Sequence, residues 1–364
     1  MRTSPRRTRP STHVTPAVLT ALALLAPVAL TACSEATAGG ATDDGATEVT
    51  IGYFPNITHA TAIVAEQEGF FDDRLGEVDA APTYAQFNSG TDAYQAVQDG
   101  SLDMSFIGPG PALSAFVQGP DSVRVVSGAA SGGAALVVRE GIESLEDLRG
   151  ERVATPSLGN TQDVAARAYF ADQGFETDLE GGGDLTIVPT DNPVTVTEFR
   201  DGNLAGAWVP EPWASILVSE GATTLVEESE VWPQTDGRFV TTHLLVNADF
   251  LDEHADLVRA VLEATVAANA FIADNSDTAR DEVGARVTEL TDAPLDADVL
   301  AEAWDNLTFT NDPIAASLEE DATDAAGVEL LDGLEDAPPL TELYDLTLLN
   351  EVLAEAGLEE VEVP

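Results

Sequence analysis

From residue 49 to about residue 246, short apolar and β-branched runs alternate with segments whose apolar residues recur at helical spacing. Predicted strands include residues 49–53, 104–107 and 241–246, and helices are predicted between such strands. After residue 246 the strand pattern nearly ends, and residues 255–356 are mostly amphipathic helix with breaks near prolines. This alternation favours an α/β architecture with largely parallel sheets, followed by a helical C-terminal extension.

A short internal repeat indicates two related halves. Asp-Gly-Ser-Leu at residues 99–102 leads through an apolar strand to Pro-Gly-Pro at residues 109–111. Asp-Gly-Asn-Leu at residues 201–204 leads in the same way to Pro-Glu-Pro at residues 210–212. In both copies a helix ends at glycine and a pair of prolines begins the next helix. The length of 364 residues also favours about two domains.

The N-terminal segment is typical of an export signal. Four arginines before residue 10 precede an apolar run over residues 14–30, and the run ends in Leu-Thr-Ala-Cys at residues 30–33. The run contains two prolines and is shorter than the roughly 20 apolar residues of a membrane-spanning helix. We therefore expect residues 1–32 to be a cleaved signal peptide. The small and polar residues that follow, up to residue 47, predict a flexible tether.

Cys33 is the only cysteine in the sequence, which excludes an intramolecular disulfide and a cysteine-based zinc site. Its position directly behind Leu-Thr-Ala resembles a bacterial lipobox, which implies cleavage before Cys33 and attachment of lipid to its sulfur. Two or three acyl chains would hold a protein firmly on a membrane surface. We therefore expect an extracytoplasmic, lipid-anchored protein in which residues 33–47 are the lipidated tether.

The composition excludes some partners and leaves the ligand open. The sequence has 65 acidic residues and 15 arginines but no lysine, and its formal net charge is −50. Such a field repels phosphate backbones, so nucleic acid is not an expected partner. A salty habitat or a GC-rich genome would each explain the acidity. Serine hydrolase, zinc peptidase and phosphate-loop motifs are absent from the sequence, so no catalytic residue, metal or cofactor is expected.

Small and hydrogen-bonding residues follow several of the predicted strands. Ligands of open α/β sheets bind beyond the carboxyl ends of the strands, where helix N-termini offer N–H groups that suit an anion. For any one loop, helix capping by Ser, Thr or Asn is the alternative explanation. The candidate loops are residues 55–59, 108–111, 131–133 and 157–162. In the third of them, Ser131 is the candidate ligand contact.

Six motifs, in this order along the chain, resemble the nitrate/sulfonate/taurine family of substrate-binding lipoproteins. They are Ile-Gly-Tyr-Phe-Pro at 51–55, Asp-Gly-Ser-Leu-Asp at 99–103, Ile-Gly-Pro-Gly-Pro at 107–111, Leu-Glu-Asp-Leu-Arg-Gly at 145–150, Ser-Leu-Gly-Asn-Thr at 157–161 and Trp-Val-Pro-Glu-Pro-Trp at 208–213. The resemblance spans roughly residues 48–275. It implies a bilobal, type II periplasmic-binding-protein-like fold, in which two α/β lobes joined by a two-crossing hinge close around a small ligand.

The resemblance also implies which residues contact the ligand. They are Asn56, Thr58, His59, Gly108, Pro109, Gly110, Ser157, Asn160, Thr161, Trp208 and Glu211. In taurine-type relatives, the acid at the position of Glu211 resembles a counter-ion for the ligand amine, and hydroxyl groups take the sulfonate. Ala205 stands where an acid is usual, and no lysine is available for a nitrate-type anion site, so an organic sulfonate is favoured over nitrate. The residues themselves leave two alternatives open, a core position for Trp208 and a first-turn acid for Glu211.

These inferences predict one architecture and one function. Lobe one is expected to comprise residues 48–130 and 243–364, and lobe two residues 131–242. The expected function is to bind a small organic anion, an aliphatic sulfonate or taurine, as a monomer that serves the membrane permease of an ATP-binding-cassette importer. The alternatives are a binder of a thiamine or pyrimidine precursor or of nitrate, and a surface scaffold. An enzyme of the thiamine-pyrimidine synthase type would need a cysteine-rich motif that one cysteine cannot supply.

Overall fold

The structure is a computed structural model and describes residues 46–362. The predicted signal peptide, Cys33 and nearly all of the predicted tether lie outside the described residues. Within residues 46–362, none of the helices combines the length and the apolar character that crossing a membrane requires. The strands of the protein form two separate sheets, and helices cover each of them. This arrangement confirms the predicted two-lobed α/β fold.

Sheet one has the strand order β11-β4-β10-β3-β1-β2, and sheet two has the order β7-β6-β8-β5-β9. The strands are β1 (Thr47–Tyr53), β2 (Ala80–Gln86), β3 (Met104–Ile107), β4 (Val123–Gly132), β5 (Ala134–Val138), β6 (Arg152–Thr155), β7 (Thr186–Pro189), β8 (Gly206–Pro210), β9 (Thr223–Glu227), β10 (Val240–Asn247) and β11 (Leu307–Phe309).

The helices cover both sheets and form most of the C-terminal extension. They are α1 (Ala60–Gln67), α2 (Phe70–Gly76), α3 (Gly90–Gln98), α4 (Pro109–Gln118), α5 (Thr161–Asp172), α6 (Asn192–Arg200), α7 (Trp213–Ser219), α8 (Ala248–Glu253), α9 (Ala255–Asp274), α10 (Ser276–Thr291), α11 (Ala297–Asp305), α12 (Ala315–Gly327) and α13 (Thr347–Glu355). Short 3-10 turns, including Ile57–His59 and Glu228–Val231, connect some of these elements.

The two sheets share one arrangement of strands. In sheet one, β1 pairs in parallel with β2 and β3, and in sheet two, β6 pairs in parallel with β7 and β8. An antiparallel strand lies beside the third strand in each sheet: β10 beside β3, and β5 beside β8. The chain therefore passes from sheet one to sheet two at β5 and returns at β10. The internal repeat of the sequence falls on equivalent junctions, from β3 to α4 and from β8 to α7.

The first crossing between the sheets depends on glycine. Gly132 and Gly133 link β4 to β5 with φ angles of +82° and +72°, a left-handed conformation that side chains disfavour. A Cβ atom on Gly133 would lie 2.4 Å from the Cδ2 atom of Leu307 in β11. The Leu307 side chain of the edge strand β11 therefore occupies the space that a side chain at position 133 would need. The second crossing, residues 228–239, contains Trp232 stacked on Phe239 with ring centroids 5.8 Å apart.

The C-terminal extension contacts both lobes. Its helix α12 packs against α4 of lobe one and α5 of lobe two, and Leu318 and Ala322 share an apolar cluster with Phe116 and Val164. Helix breaks occur at the predicted places, for example at Asn275 between α9 and α10. The expectation of a mostly helical extension missed β11, a strand of only three residues that pairs with β4.

Substituting Gly133 should separate steric clash from backbone strain. Gly69 has almost the same conformation, with a φ of +74°, but nothing lies within 4 Å of the Cβ it would gain. We expect Gly69→Ala to lower the free energy of unfolding by about 1–2 kcal/mol through its left-handed backbone alone. Gly133→Ala should lose about 1–3 kcal/mol more, because the new methyl group overpacks against Leu307. Urea unfolding measures the free energy of unfolding of both variants. Equal losses in Gly69→Ala and Gly133→Ala would contradict the close packing of Leu307 against residue 133.

Candidate ligand-binding site between the lobes

The starts of α4 and α5, one from each lobe, lie in direct contact. Gly108 caps α4 after β3, and the Gly110 N–H donates to the Thr161 Oγ1 atom at 3.5 Å. A Cβ atom on Gly110 would lie 3.1 Å from the Thr161 nitrogen and 3.3 Å from the Gly159 oxygen. Glycine at position 110 is therefore what lets the two helix starts meet.

The two helix starts supply N–H groups and partial positive charge. The first N–H groups of any α-helix lack an acceptor within the helix, and each N-terminus carries about half a positive charge. In α4, Pro109 and Pro111 have no N–H, so Gly110 has the one N–H of residues 109–111, and it donates to the Thr161 hydroxyl, from which it would have to turn to an anion. In α5, the Asn160 side chain accepts from the Asp163 N–H at 2.9 Å, so Thr161 and Gln162 keep theirs. This arrangement suits a small anion.

A buried ion pair fixes the loop that leads into α5. Asp163 and Arg167 are at most 1% exposed, and the Arg167 Nε atom donates to Asp163 Oδ2 at 3.0 Å. The same oxygen accepts from the Gly159 N–H at 3.0 Å, and Oδ1 accepts from the Thr155 hydroxyl at 2.6 Å. This pair was not among the residues predicted from the sequence. Its signal was an acid in the first helical turn with an arginine four residues later.

The loop after β1 lies beside the β10 strand. The Asn56 side chain accepts from the Thr58 N–H at 3.3 Å, and the Thr58 carbonyl oxygen accepts from the Thr242 hydroxyl at 2.9 Å. Burial lowers the pKa of His59 to about 3, and its Nδ1 atom accepts from the Phe54 N–H at 3.4 Å. His59 is therefore neutral at physiological pH and contributes no charge to an anion site. Asn56 acts as a helix cap, the alternative that the sequence left open.

The other predicted loop residues take different positions. Gly108 lies at the contact of the helix starts, since a Cβ atom there would lie 3.0 Å from the Thr161 Oγ1 atom. Ser131 is buried at the end of β4, where it pairs with Val240 of β10. Ser157 is exposed to solvent. The structure therefore joins Gly108, Gly110 and Thr161 in one place but not the whole predicted set.

Trp208 is a core residue of lobe two, the alternative that the sequence left open, and its contact with a ligand stays a prediction. The side chain is fully buried, and its ring lies 5.4 Å from that of Tyr169 and 6.4 Å from that of Phe170. Its indole N–H donates to the Glu228 Oε2 atom at 2.6 Å. The ring packs under α5 because position 208 faces that side of sheet two.

Glu211 forms hydrogen bonds within the protein, and its expected role as a counter-ion for a ligand amine stays a prediction. One carboxylate oxygen accepts from the Ser215 hydroxyl at 3.0 Å and from the Asn306 amide at 2.7 Å, and the other accepts from the Ser215 N–H at 3.0 Å. Burial raises the pKa of this carboxyl group. A cavity of about 90 Å³ beside it is also lined by Glu227 and Glu302, and three glutamates disfavour an anion there.

Comparison with known proteins identifies a family and a fold. A model of the NMT1-like family matches residues 43–287. The chain is similar to the taurine-binding periplasmic protein of Escherichia coli (strain K12), with 26% identity over 234 residues, which cover 64% of this chain and 68% of that protein. These findings confirm the expected resemblance to the nitrate/sulfonate/taurine family.

Two solved structures illustrate the shared fold. The alkanesulfonate-binding protein SsuA from Xanthomonas axonopodis pv. citri, bound to MOPS, has a TM-score of 0.63 at 16% identity, over 78% of this chain and 94% of that one. The periplasmic nitrate-binding protein NrtA from Synechocystis PCC 6803 has a TM-score of 0.71 at 14% identity, over 87% and 90%. At such identities the likeness concerns the fold alone.

Removing the charge of Asp163 should destabilise the protein strongly. Asp163→Asn keeps the shape but leaves Arg167 buried without its counter-ion, a change that costs about 3–5 kcal/mol of unfolding free energy. The control Glu146→Gln breaks the Arg149–Glu146 pair, in which the glutamate is 73% exposed, and should cost about 1 kcal/mol or less. Chemical denaturation compares the two. A loss below about 1 kcal/mol in Asp163→Asn would contradict the structural role of the pair.

Proposed function

The chain belongs to the NMT1-like family, and we propose that it is the substrate-binding protein of an ATP-binding-cassette importer for a small organic anion. The observation that carries this proposal is the contact between the starts of α4 and α5 at Gly110 and Thr161. Two helix N-termini that meet there favour an anion through N–H groups and partial charge, without a charged side chain. The names of the relatives refer to taurine and alkanesulfonates, which supports an organic sulfonate, and to nitrate, which supports an anion in general.

The proposed ligand is an aliphatic sulfonate or taurine. A sulfonate head has three oxygens that can accept from several N–H groups and from the Thr161 hydroxyl. The sequence has no lysine, and Arg167, the arginine of α5, is paired with Asp163, so neutral donors are proposed to hold the anion. The net charge of −50 does not prevent this, because the screening length is about 8 Å at physiological salt.

Thr161, Gly110 and Gly108 are the central residues of the proposed anion site. The neighbouring candidates Asn56, Thr58 and His59 stay in the proposal as neutral groups of the adjoining loop, and Ser157, Asn160 and Ser131 as flanking groups. Pro109 acts by leaving Gly110 with the one N–H of residues 109–111. Trp208 and Glu211 are buried and form hydrogen bonds with other residues of the protein, so this proposal does not include them among the ligand contacts.

The lobes are proposed to move about the two crossings. We assign residues 48–130 and 243–364 to lobe one and residues 131–242 to lobe two. The separate sheets support this division, with the chain crossing at Gly132 and Gly133 and again through residues 228–239. Hinge closure of this kind encloses a ligand between rigid bodies. The closed protein would then present the ligand to a membrane permease, so binding rather than catalysis is the proposed activity.

We expect the protein to act outside the cytoplasm as a lipid-anchored monomer. In this proposal the mature chain begins at Cys33, which carries the lipid, and the segment up to residue 47 lets the binding lobes reach the permease.

Expression of the full-length gene in a bacterial host tests the anchor. Mass spectrometry of the detergent-extracted protein should show an N-terminal Cys33 with attached acyl chains. Cys33→Ala should leave the protein without lipid, whereas the control Ser34→Ala should still be acylated. A wild-type protein that begins at another residue and carries no lipid would contradict the anchor.

Substituting Thr161 tests the anion site. We expect Thr161→Ala to weaken ethanesulfonate binding about tenfold to a hundredfold, because it removes a hydrogen-bond donor to a charged group. The control Thr197→Ala removes an exposed hydroxyl on α6 of the same lobe and should bind like the wild type. Titration calorimetry with ethanesulfonate, taurine and nitrate gives the affinities.

The same titrations separate the alternatives. Unchanged affinity in Thr161→Ala would show that the helix starts do not hold the sulfonate. Binding of a thiamine-type pyrimidine in place of every sulfonate would favour the precursor binder. A wild-type protein that binds none of these compounds, with no thermal stabilisation by any of them, would favour a surface scaffold.

A further inference from the structure

Helix α12 lies against elements of both lobes. It packs on α4 of lobe one and on α5 of lobe two, where Leu318 and Ala322 share an apolar cluster with Val164 of α5. It also packs on the second crossing, and its Ser317 hydroxyl accepts from the Val240 N–H, just after that crossing, at 3.1 Å. In the proposed division of the lobes α12 belongs to lobe one. Its contacts with α5 and with the crossing therefore span the two lobes.

A buried carboxyl group lies on the face of α12 that meets the crossing. Asp321 is 2% exposed and follows Ser317 by four residues, so the two side chains share one face of the helix. Neither carboxyl oxygen of Asp321 accepts a hydrogen bond from the described residues. Burying a carboxylate without partners is strongly unfavourable, whereas the protonated group carries no charge to desolvate. The packed position of α12 is therefore stable only if the charge of Asp321 is neutralised.

The second crossing and α12 itself add negative charge near Asp321. Glu228, at the start of the crossing, is fully buried, and its charge raises the pKa of Asp321, as does that of Asp324 on α12. Burial raises the pKa of Glu228 itself to about 7, so its charge develops around neutral pH. The other acids of the crossing are exposed, and its arginine, Arg238, pairs with Asp312. The crossing therefore offers Asp321 no free arginine.

The other elements that surround α12 provide no counter-ion either. No side chain of α4 is titratable. In α5 the arginine, Arg167, is paired with Asp163, and Asp172 is a further acid. Burial lowers the pKa of His243 on β10 to about 4 and raises that of Tyr344 in the C-terminal segment, so both are neutral near pH 7. A proton is therefore the neutralising partner that these described elements leave to the carboxyl group of α12.

The proton balance of Asp321 sets the direction of a pH effect. Burial, followed by the charges of Glu228 and Asp324, raises the pKa of Asp321 well above its ordinary value. In water an aspartate has a pKa of about 4, so a form in which α12 has left the crossing binds this proton less tightly. Between the two pKa values, each added pH unit favours the loosened form by up to about tenfold. The stability of the packed form is therefore complete below about pH 4 and is lost as the pH rises through the raised pKa.

We propose that Asp321 makes α12 a proton-dependent clasp between the lobes, which is held on α5 and the second crossing when Asp321 is protonated and is released when it ionises. Release of α12 then lets the lobes move apart. The inference rests on the proposed function in one respect, the movement of the lobes around a ligand. A ligand that is enclosed by the lobes should accordingly bind more tightly at acidic pH than at alkaline pH.

Hydrogen exchange of the ligand-free protein tests the clasp. Peptides from α12 are compared at the same pH in the wild type and in Asp321→Asn, whose amide has the shape of the carboxyl group but does not ionise. The exchange rate of the wild type relative to this variant should rise by up to about tenfold per pH unit between pH 5 and pH 8. The control Glu319→Gln changes an exposed glutamate on the same helix and should exchange like the wild type. A relative rate that does not change with pH would overturn the proposal.

Glu228→Gln provides a second measurement in which Asp321 stays in place. The Trp208 indole donates to the Glu228 Oε2 atom at 2.6 Å, and a glutamine oxygen can accept the same hydrogen bond. The substitution removes the negative charge that acts on Asp321, so the exchange of α12 should depend on pH less steeply than in the wild type. If Asp321→Asn does not fold, this variant decides, and an unchanged pH dependence in it would contradict the clasp.

The movement of the lobes has a readout that needs no ligand. Small-angle X-ray scattering should give a larger radius of gyration for the wild type at pH 8 than at pH 6. Asp321→Asn should keep the smaller radius at both pH values, whereas Glu319→Gln should expand like the wild type. Equal radii of the wild type at both pH values would show that α12 does not control the separation of the lobes.

Titration calorimetry connects the clasp to binding. Ethanesulfonate stays ionised between pH 6 and pH 8, so a pH-dependent affinity has to come from the protein. The wild type should bind it about tenfold or more weakly at pH 8 than at pH 6, and Asp321→Asn should bind it alike at both. If ethanesulfonate binds with an affinity that does not depend on pH, the clasp is wrong and the proposed function stands. If no sulfonate binds, the proposed function fails, and an expansion that depends on Asp321 would still uphold the clasp.

Discussion

The contact between two helix starts, made possible by glycine on the α4 side, is the constraint on which the candidate site depends. Gly110 brings the backbone of α4 to within a few ångströms of Thr161 and Gly159, where any Cβ atom would be crowded. The prolines on both sides of Gly110 then limit which N–H groups the first turn can offer. The buried Asp163–Arg167 pair holds the other partner, the loop into α5, in place. An anion can thus be held here by backbone geometry in a strongly acidic protein.

The buried acidic residues of this protein differ in the groups that compensate their negative charge. Asp163 is compensated by an arginine, and Glu211 by three neutral donors from Ser215 and Asn306. The Oε1 atom of Glu228 and both carboxyl oxygens of Asp321 have neither kind of partner among the described residues. The exposed acids can rely on water and salt, whereas each buried one needs a specific arrangement. A buried acid without such partners is therefore an exception to this rule and requires its own physical explanation.

The sequence predicts the order of strands and helices well because each buried element carries its own apolar pattern. It predicts β10, whose eight residues combine β-branched Val-Thr-Thr with Leu-Leu-Val, and misses β11, which has three residues and depends on its pairing with β4. It identifies Trp208 and Glu211 as special but not their roles, because the deciding partners Glu228 and Asn306 are remote in sequence. Asp321 lies in an acid-rich helix and resembles its exposed neighbour Glu319 until tertiary packing buries it.

The position of β10 in sheet one also determines when each lobe can be completed as the chain is made. Sheet two contains only the consecutive strands β5 to β9, so all of its pairings are available once residue 227 exists. In sheet one, β10 lies between β3 and β4, so the facing edges of both strands stay unpaired until residue 247, and the other edge of β4 waits for β11 at Leu307–Phe309. Open strand edges invite pairing with other chains, and contacts distant in sequence form slowly. Lobe two can therefore form first, and the unpaired edges of β3 and β4 are where wrong pairing with other chains would begin.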